Sequence, residues 1–81
     1  SSMVPSAVGR RLRRAREAAG MTTRALSTEA GLSLSCVSLI ETGWIQRPRA
    51  ESLDAIAAAL LISFEWLCTG RGPMRPRRRA A

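Results

Sequence analysis

Gly20, Gly31 and Gly43 constrain this chain more firmly than any other feature. Between them there is room for two helices of about two turns each and little else. Both segments open with the same local pattern. Thr22 and Ser33 each carry a hydroxyl that can accept an unpaired backbone N–H at a helix start. An apolar residue precedes each of them and another follows one turn later, Met21 with Leu26 and Leu32 with Val37. Such pairs fix the angle at which a chain joins a helix. Gly31 stands where the first of the two must stop in the left-handed conformation, which glycine adopts without steric cost. The spacing predicts helices over residues 23–30 and 34–42, and a turn this short makes them cross steeply.

The flanking segments supply surface for that pair to pack against. Ser6, after Pro5, caps a first helix running to Ala19, with Gly20 as its terminator. Val8, Leu12, Ala15 and Ala19 recur at helical spacing as its inward stripe. Arg10, Arg11, Arg13 and Arg14 occupy its other faces, either as a solvated surface or as flanks for a phosphate backbone. A fourth helix over 50–60 presents Leu53, Ile56, Ala57 and Leu60 as one stripe, so it closes the core. Ser63 caps a short fifth helix over 64–68, where Ile62 and Leu67 repeat the apolar pairing and Glu65 suits the helix start. The expectation is an all-α, compact five-helix bundle over 6–70. Residues 1–5, where Ser1-Ser2 before Met3 reads as a cloning remnant, and the Arg- and Pro-rich residues 71–81 read as disordered.

A chain of 81 residues makes one small domain with a marginal core. The net charge of +7 is unevenly spread: residues 1–49 carry eight Arg and three Glu, residues 50–70 only Glu51, Asp54 and Glu65, and residues 71–81 five Arg. A basic front and tail with acidic rear helices is the electrostatic footprint of a nucleic-acid binder. The chain has no His, and no paired carboxylates, nucleophile elbow or phosphate-binding glycine loop, so an enzyme is not expected. Cys36 and Cys68 are too far apart for a zinc site and read as buried or inert thiols, so neither metal nor cofactor is expected. No run reaches transmembrane length and no signal peptide is visible, which points to the cytoplasm and away from a membrane.

The stretch 22–43 closely resembles the helix-turn-helix of the phage repressor and Cro family, also called the XRE family. The resemblance is carried by Gly20-Met21-Thr22, Leu26, Gly31-Leu32-Ser33, Val37-Ser38, Ile40-Glu41 and Gly43, then Arg47-Pro48-Arg49, then Phe64-Glu65-Trp66-Leu67 and Gly70. It covers about Val8 to Gly70. It implies a lambda-repressor-like DNA-binding domain whose third helix reads bases in double-stranded DNA. It also implies a structural ion pair between Arg16 and Glu41, since a Glu in the last turn of a helix opposes the helix dipole and calls for a cation.

By the same resemblance, Leu34, Ser35 and Leu39 sit at base-reading positions, with Ser38 beside them. Thr23, at the start of the second helix, meets a phosphate, and Trp44 and Arg47 lie in a loop that runs along the backbone; from their own chemistry, Arg10 and Thr42 are further backbone candidates. Arg49 approaches the minor groove. Leu61 stands where the family commonly has a terminating glycine, and it must avoid the left-handed conformation or tolerate its cost. Leu61, Phe64 and Trp66 are candidate homodimer contacts, or else core. Trp44 either plugs the edge of the core or packs on a sugar.

The outer face departs from the family. Repressors commonly place Gln, Arg, Asn or Lys where Leu34 and Leu39 stand, and Leu has no donor or acceptor for a base edge. Leu can only pack on thymine methyl groups or exclude a wrong partner. The reading is therefore a phage or bacterial DNA-binding transcriptional regulator acting as a dimer on a symmetric operator. Two alternatives compete with it. One is an antitoxin or adaptor using the scaffold to hold a protein such as a toxin or polymerase. The other is the DNA-recognition part of a phage transposition or packaging complex.

Overall fold

The computed structural model describes residues 4–76. Within them the chain forms α1 (Ala7–Ala18), α2 (Thr23–Glu29), α3 (Cys36–Thr42), α4 (Ala50–Leu60) and α5 (Phe64–Thr69). α1 packs on α3 and α5, α2 on α3 and α4, and α4 on α5. Leu12, Leu26, Ile40, Ile56 and Leu67 are the largest fully buried side chains, so each of the five helices sends one into a single core. The α4 stripe of Leu53, Ile56, Ala57 and Leu60 is buried throughout. Along α1, Leu12 and Ala15 are buried and Val8 packs on the core, but Ala19 is exposed because the helix has already turned away.

Three expected caps close as side-chain hydrogen bonds. Ser6 accepts from Gly9 N at 3.0 Å, Thr22 from Ala25 N at 3.0 Å and Ser63 from Trp66 N at 3.1 Å. Ser33 does not cap α3. Its carbonyl accepts from Cys36 N at 3.0 Å, so residues 34 and 35 form a turn and the helix starts at Cys36. Ser33 is therefore too early in the chain to reach an α3 amide. The Val37 N–H is accepted instead by the hydroxyl of Ser27, 3.1 Å away on α2 and fully buried. The cap of α3 thus comes from α2, which ties the two helices together.

α2 and α4 end in the same hydrogen-bond motif on different residues. After α2, Leu32 N donates to Ser27 O at 2.9 Å and Gly31 N to Thr28 O at 3.0 Å. After α4, Ile62 N donates to Ala57 O at 3.0 Å and Leu61 N to Ala58 O at 3.2 Å. The residue in the left-handed position is Gly31 in one case and Leu61, at φ 57°, in the other. Leu61 tolerates the cost because Ile62, which follows it, is buried in the core.

Trp66 is only 7% exposed and belongs to the core, which removes it from the candidate dimer contacts. The folded unit also runs past Gly70. Met74 packs against the core and its carbonyl accepts from Ser63 N at 2.8 Å, so the chain is held back on the domain as far as Met74. At the other end, Gln46 Nε2 donates to Val4 O at 2.9 Å and Arg10 Nη1 to Pro5 O at 2.8 Å. Residues 1–3 and 77–81 lie outside the described residues.

Candidate nucleic-acid interface

The inner side of α3 is held by charge, by contact and by a cap. Arg16 of α1 makes a two-pronged bond to Glu41, with Nε at 2.7 Å from Oε2 and Nη2 at 2.9 Å from Oε1. Its remaining nitrogen, Nη1, donates to Met21 O at 2.7 Å. Arg16 therefore joins the last turn of α3 to the segment that starts α2. Both side chains are largely withdrawn from water, at 13% and 6% exposure. The bond to Glu41 raises the Arg16 pKa above its ordinary value, although burial opposes the shift. Beside this pair α1 and α3 approach so closely that a Cβ on Gly9 would lie 2.5 Å from Ile40 O. Only glycine fits there.

The outer side of α3 is open. Leu34 is 51% exposed, Ser35 is exposed, and Ser38 and Leu39 are half-buried. Leu34 and Ser35 sit in the turn leading into α3 rather than on the helix itself. Thr42 is exposed, but its hydroxyl donates to Ser38 O at 2.9 Å, so that donor is already engaged. The loop after α3 carries Trp44, Arg47 and Arg49, all exposed. Trp44 is 67% exposed, which rules out its role as a plug of the core. Thr23 is half-buried at the first position of α2.

The α1 arginines divide between structure and surface. Arg11 bonds the C-terminal carbonyls of α5, Nε to Leu67 O and Nη2 to Cys68 O, both at 2.9 Å. A cation on the negative end of a helix is a structural device, one that local sequence does not reveal because the partner lies 56 residues away. Arg13 pairs with Glu17 at 3.3 Å in an exposed contact one turn apart. Arg10 remains exposed while holding Pro5. Leu61 and Phe64, at 76% and 40% exposure, are neighbours at the α4–α5 junction. Burial pushes the Cys36 and Cys68 thiols above their usual value, with Arg11 partly offsetting the effect at Cys68. Among the described residues no group of His, Cys, Asp and Glu could hold a metal ion, and no helix is long and apolar enough to cross a membrane.

A helix pair joined at Gly31, with its second helix clamped on one side and bare on the other, is the geometry of a reading head. The family model described as a helix-turn-helix domain matches residues 7–65, most of the chain. The chain belongs to the helix-turn-helix family. The N-terminal DNA-binding domain of SinR from Bacillus subtilis is similar at a TM-score of 0.74 and 26% identity, covering 82% of this chain and 96% of that one. SinR in its complex with SinI is similar at 0.72 and 27%, covering 76% and 60%. The restriction-modification controller protein C.AhdI from Aeromonas hydrophila gives 0.69 and 32%, covering 74% and 89%. The P22 c2 repressor, solved with a synthetic operator, gives 0.70 and 30%, covering 78% and 94%. No curated protein matches the sequence. The helix-turn-helix is thus of the phage-repressor type, and the chain is a DNA-binding transcriptional regulator.

Proposed function

We propose that this helix-turn-helix protein regulates transcription as a homodimer on a two-fold symmetric operator, with α3 of each protomer in successive major grooves about 34 Å apart. The observation that carries the reading is the contrast across α3: Arg16, Glu41 and Gly9 fix its inner side, and its outer side faces solvent between exposed arginines. Leu34 and Leu39 contact thymine methyl groups, and Ser35 and Ser38 add single hydrogen bonds to base edges. Arg47 and Arg10 pair with phosphates, Trp44 packs on a sugar, and Thr23 offers its hydroxyl to the backbone. Arg49 enters a narrow A·T-rich minor groove. Thr42 is a weaker candidate because its hydroxyl hydrogen is taken. Leu61 and Phe64 supply the apolar part of the dimer contact. The reading is of a binding protein rather than an enzyme, acting in the cytoplasm on the nucleoid.

A second reading, a protein-binding adaptor or antitoxin, is favoured by the exposure of Leu34 and Trp44. The P22 repressor was solved on an operator and SinR is known with a protein partner, so the similarities support either partner class. Fluorescence anisotropy with an A·T-rich duplex separates the two. The DNA reading expects affinity to fall about a hundredfold between about 50 and 200 mM salt if roughly four phosphates are neutralised. It also expects Arg49→Ala to erase the preference for A·T-rich flanks. No binding at low salt would favour the protein-partner reading.

A further inference from the structure

α3, the loop after it and the first turn of α4 enclose a half-open cleft of about 220 Å³. Ile40, Ile45, Pro48 and the Cys36 side chain give it apolar walls, and Ser52 contributes a hydroxyl. Arg47 and Arg49 also line it and are both exposed, so they lie along its edge. The two ion pairs among the described residues are Arg13–Glu17 and Arg16–Glu41, and neither involves these arginines. Apolar walls beside two unpaired guanidinium groups describe a ligand chemistry. An apolar body would displace water from Ile45 and Pro48, which are only half-buried, and a carboxylate would take the planar fork of a guanidinium.

We propose that this cleft binds a small amphipathic carboxylate, and that the bound ligand competes with DNA. The competition rests on the DNA-binding reading above; the binding does not. Two physical effects produce the competition. A guanidinium that pairs with the ligand carboxylate is no longer available to a phosphate. The carboxylate also removes positive charge from the loop that would face the DNA backbone. The ligand would touch α3 through the half-buried Cys36, so occupancy would be sensed at that helix as well as at the loop.

The test is a titration of the full ¹⁵N-labelled chain, followed by amide chemical shifts, at matched ionic strength. Phenylacetate is the probe, 2-phenylethanol its neutral counterpart, and 2-deoxyribose 5-phosphate the mimic of a DNA backbone unit. Phenylacetate is expected to saturate shifts at Cys36, Ile45 and Ser52 with a dissociation constant on the order of 1 mM. 2-Phenylethanol should bind at least about tenfold more weakly, as should phenylacetate to the Arg47→Gln, Arg49→Gln double variant. Both arginines are exposed, so that variant keeps the fold. No saturable shift at the cleft, equal binding of the alcohol, or unchanged binding by the double variant would overturn the site. Tighter binding of 2-deoxyribose 5-phosphate than of phenylacetate would overturn it too, because the cleft would then be a seat for the DNA backbone. A parallel anisotropy experiment adds phenylacetate to a protein–duplex complex and expects displacement. Failure to displace a duplex that binds in its absence would overturn the regulatory half and leave the DNA reading intact. Carboxylate binding by a chain that binds no duplex would overturn the DNA reading and leave the site standing.

Discussion

The two sides of α3 follow opposite rules. Its inner side is over-determined: a bidentate ion pair at one end, a backbone approach that only glycine permits, and a cap lent by Ser27 of the neighbouring helix. Its outer side, together with the turn that leads into it, holds two leucines, two serines and a threonine whose hydroxyl is already engaged. The inner side fixes where the helix lies to within the tolerance of a packed core. The outer side carries few groups able to bond a base edge. Positional accuracy and chemical information have thus been separated. In a domain built this way the pose of the helix comes from its rear. On the proposed reading, specificity would come from apolar contacts and from DNA shape read by the flanking arginines.

The largest test of the inner side is Glu41→Ala. It leaves Arg16 partly buried without its anion and should lower stability by about 3–5 kcal/mol, read from denaturant unfolding. Because Glu41 raises the Arg16 pKa, the stabilisation is complete below the unfolded arginine value and is lost only as pH rises through the folded one. Both lie far above neutrality, so the loss should be the same at about pH 6 and about pH 9. A loss within 0.5 kcal/mol of zero, on the order of a surface substitution, would break the contrast between the two sides. Gly9→Ala comes next. Its methyl meets Ile40 O and must push α1 from α3, at a cost of about 1–3 kcal/mol. Ser27→Ala removes the cap lent across the helix pair, and thermal unfolding should show a loss of about 1 kcal/mol. Faster hydrogen exchange at the Val37 amide would place that loss at the start of α3.

Leu61→Gly has the opposite sign. Relief of the left-handed leucine should stabilise the domain by about 1 kcal/mol, and a denaturation midpoint that falls would show that the Leu61 side chain matters more than its backbone. The smallest effect on stability belongs to the outer side. Leu34→Ala should change stability by less than about 0.5 kcal/mol while shifting base preference in a selection. An unchanged preference would remove Leu34 from the reading surface.

Much of this was legible from local patterns. Ser6, Thr22 and Ser63 follow a capping rule that operates over three residues, and each forms the expected bond. The α4 stripe follows helical periodicity, and all four residues are buried. What escaped depends on residues distant in the chain. Ser27 reads as an ordinary helix position until α3 is laid across it, and Arg11 reads as surface until α5 ends beside it. Ser33 misled because local capping grammar does not show that the next two residues turn before the helix begins. Trp44 and Trp66 are chemically alike, and only the packed structure separates the exposed one from the core one. The outer face of α3 was visible as a departure from the family pattern, but a leucine names no base by itself.

The most direct test of the account is a selection of bound sequences from a random DNA pool at two salt concentrations. The expected result is an enriched palindrome whose half-sites lie about one helical turn apart, with thymines in each half-site and binding that weakens steeply as salt rises. Salt-dependent binding without an enriched motif would contradict the claim that the outer face of α3 reads sequence, and no binding at low salt would contradict the DNA reading itself.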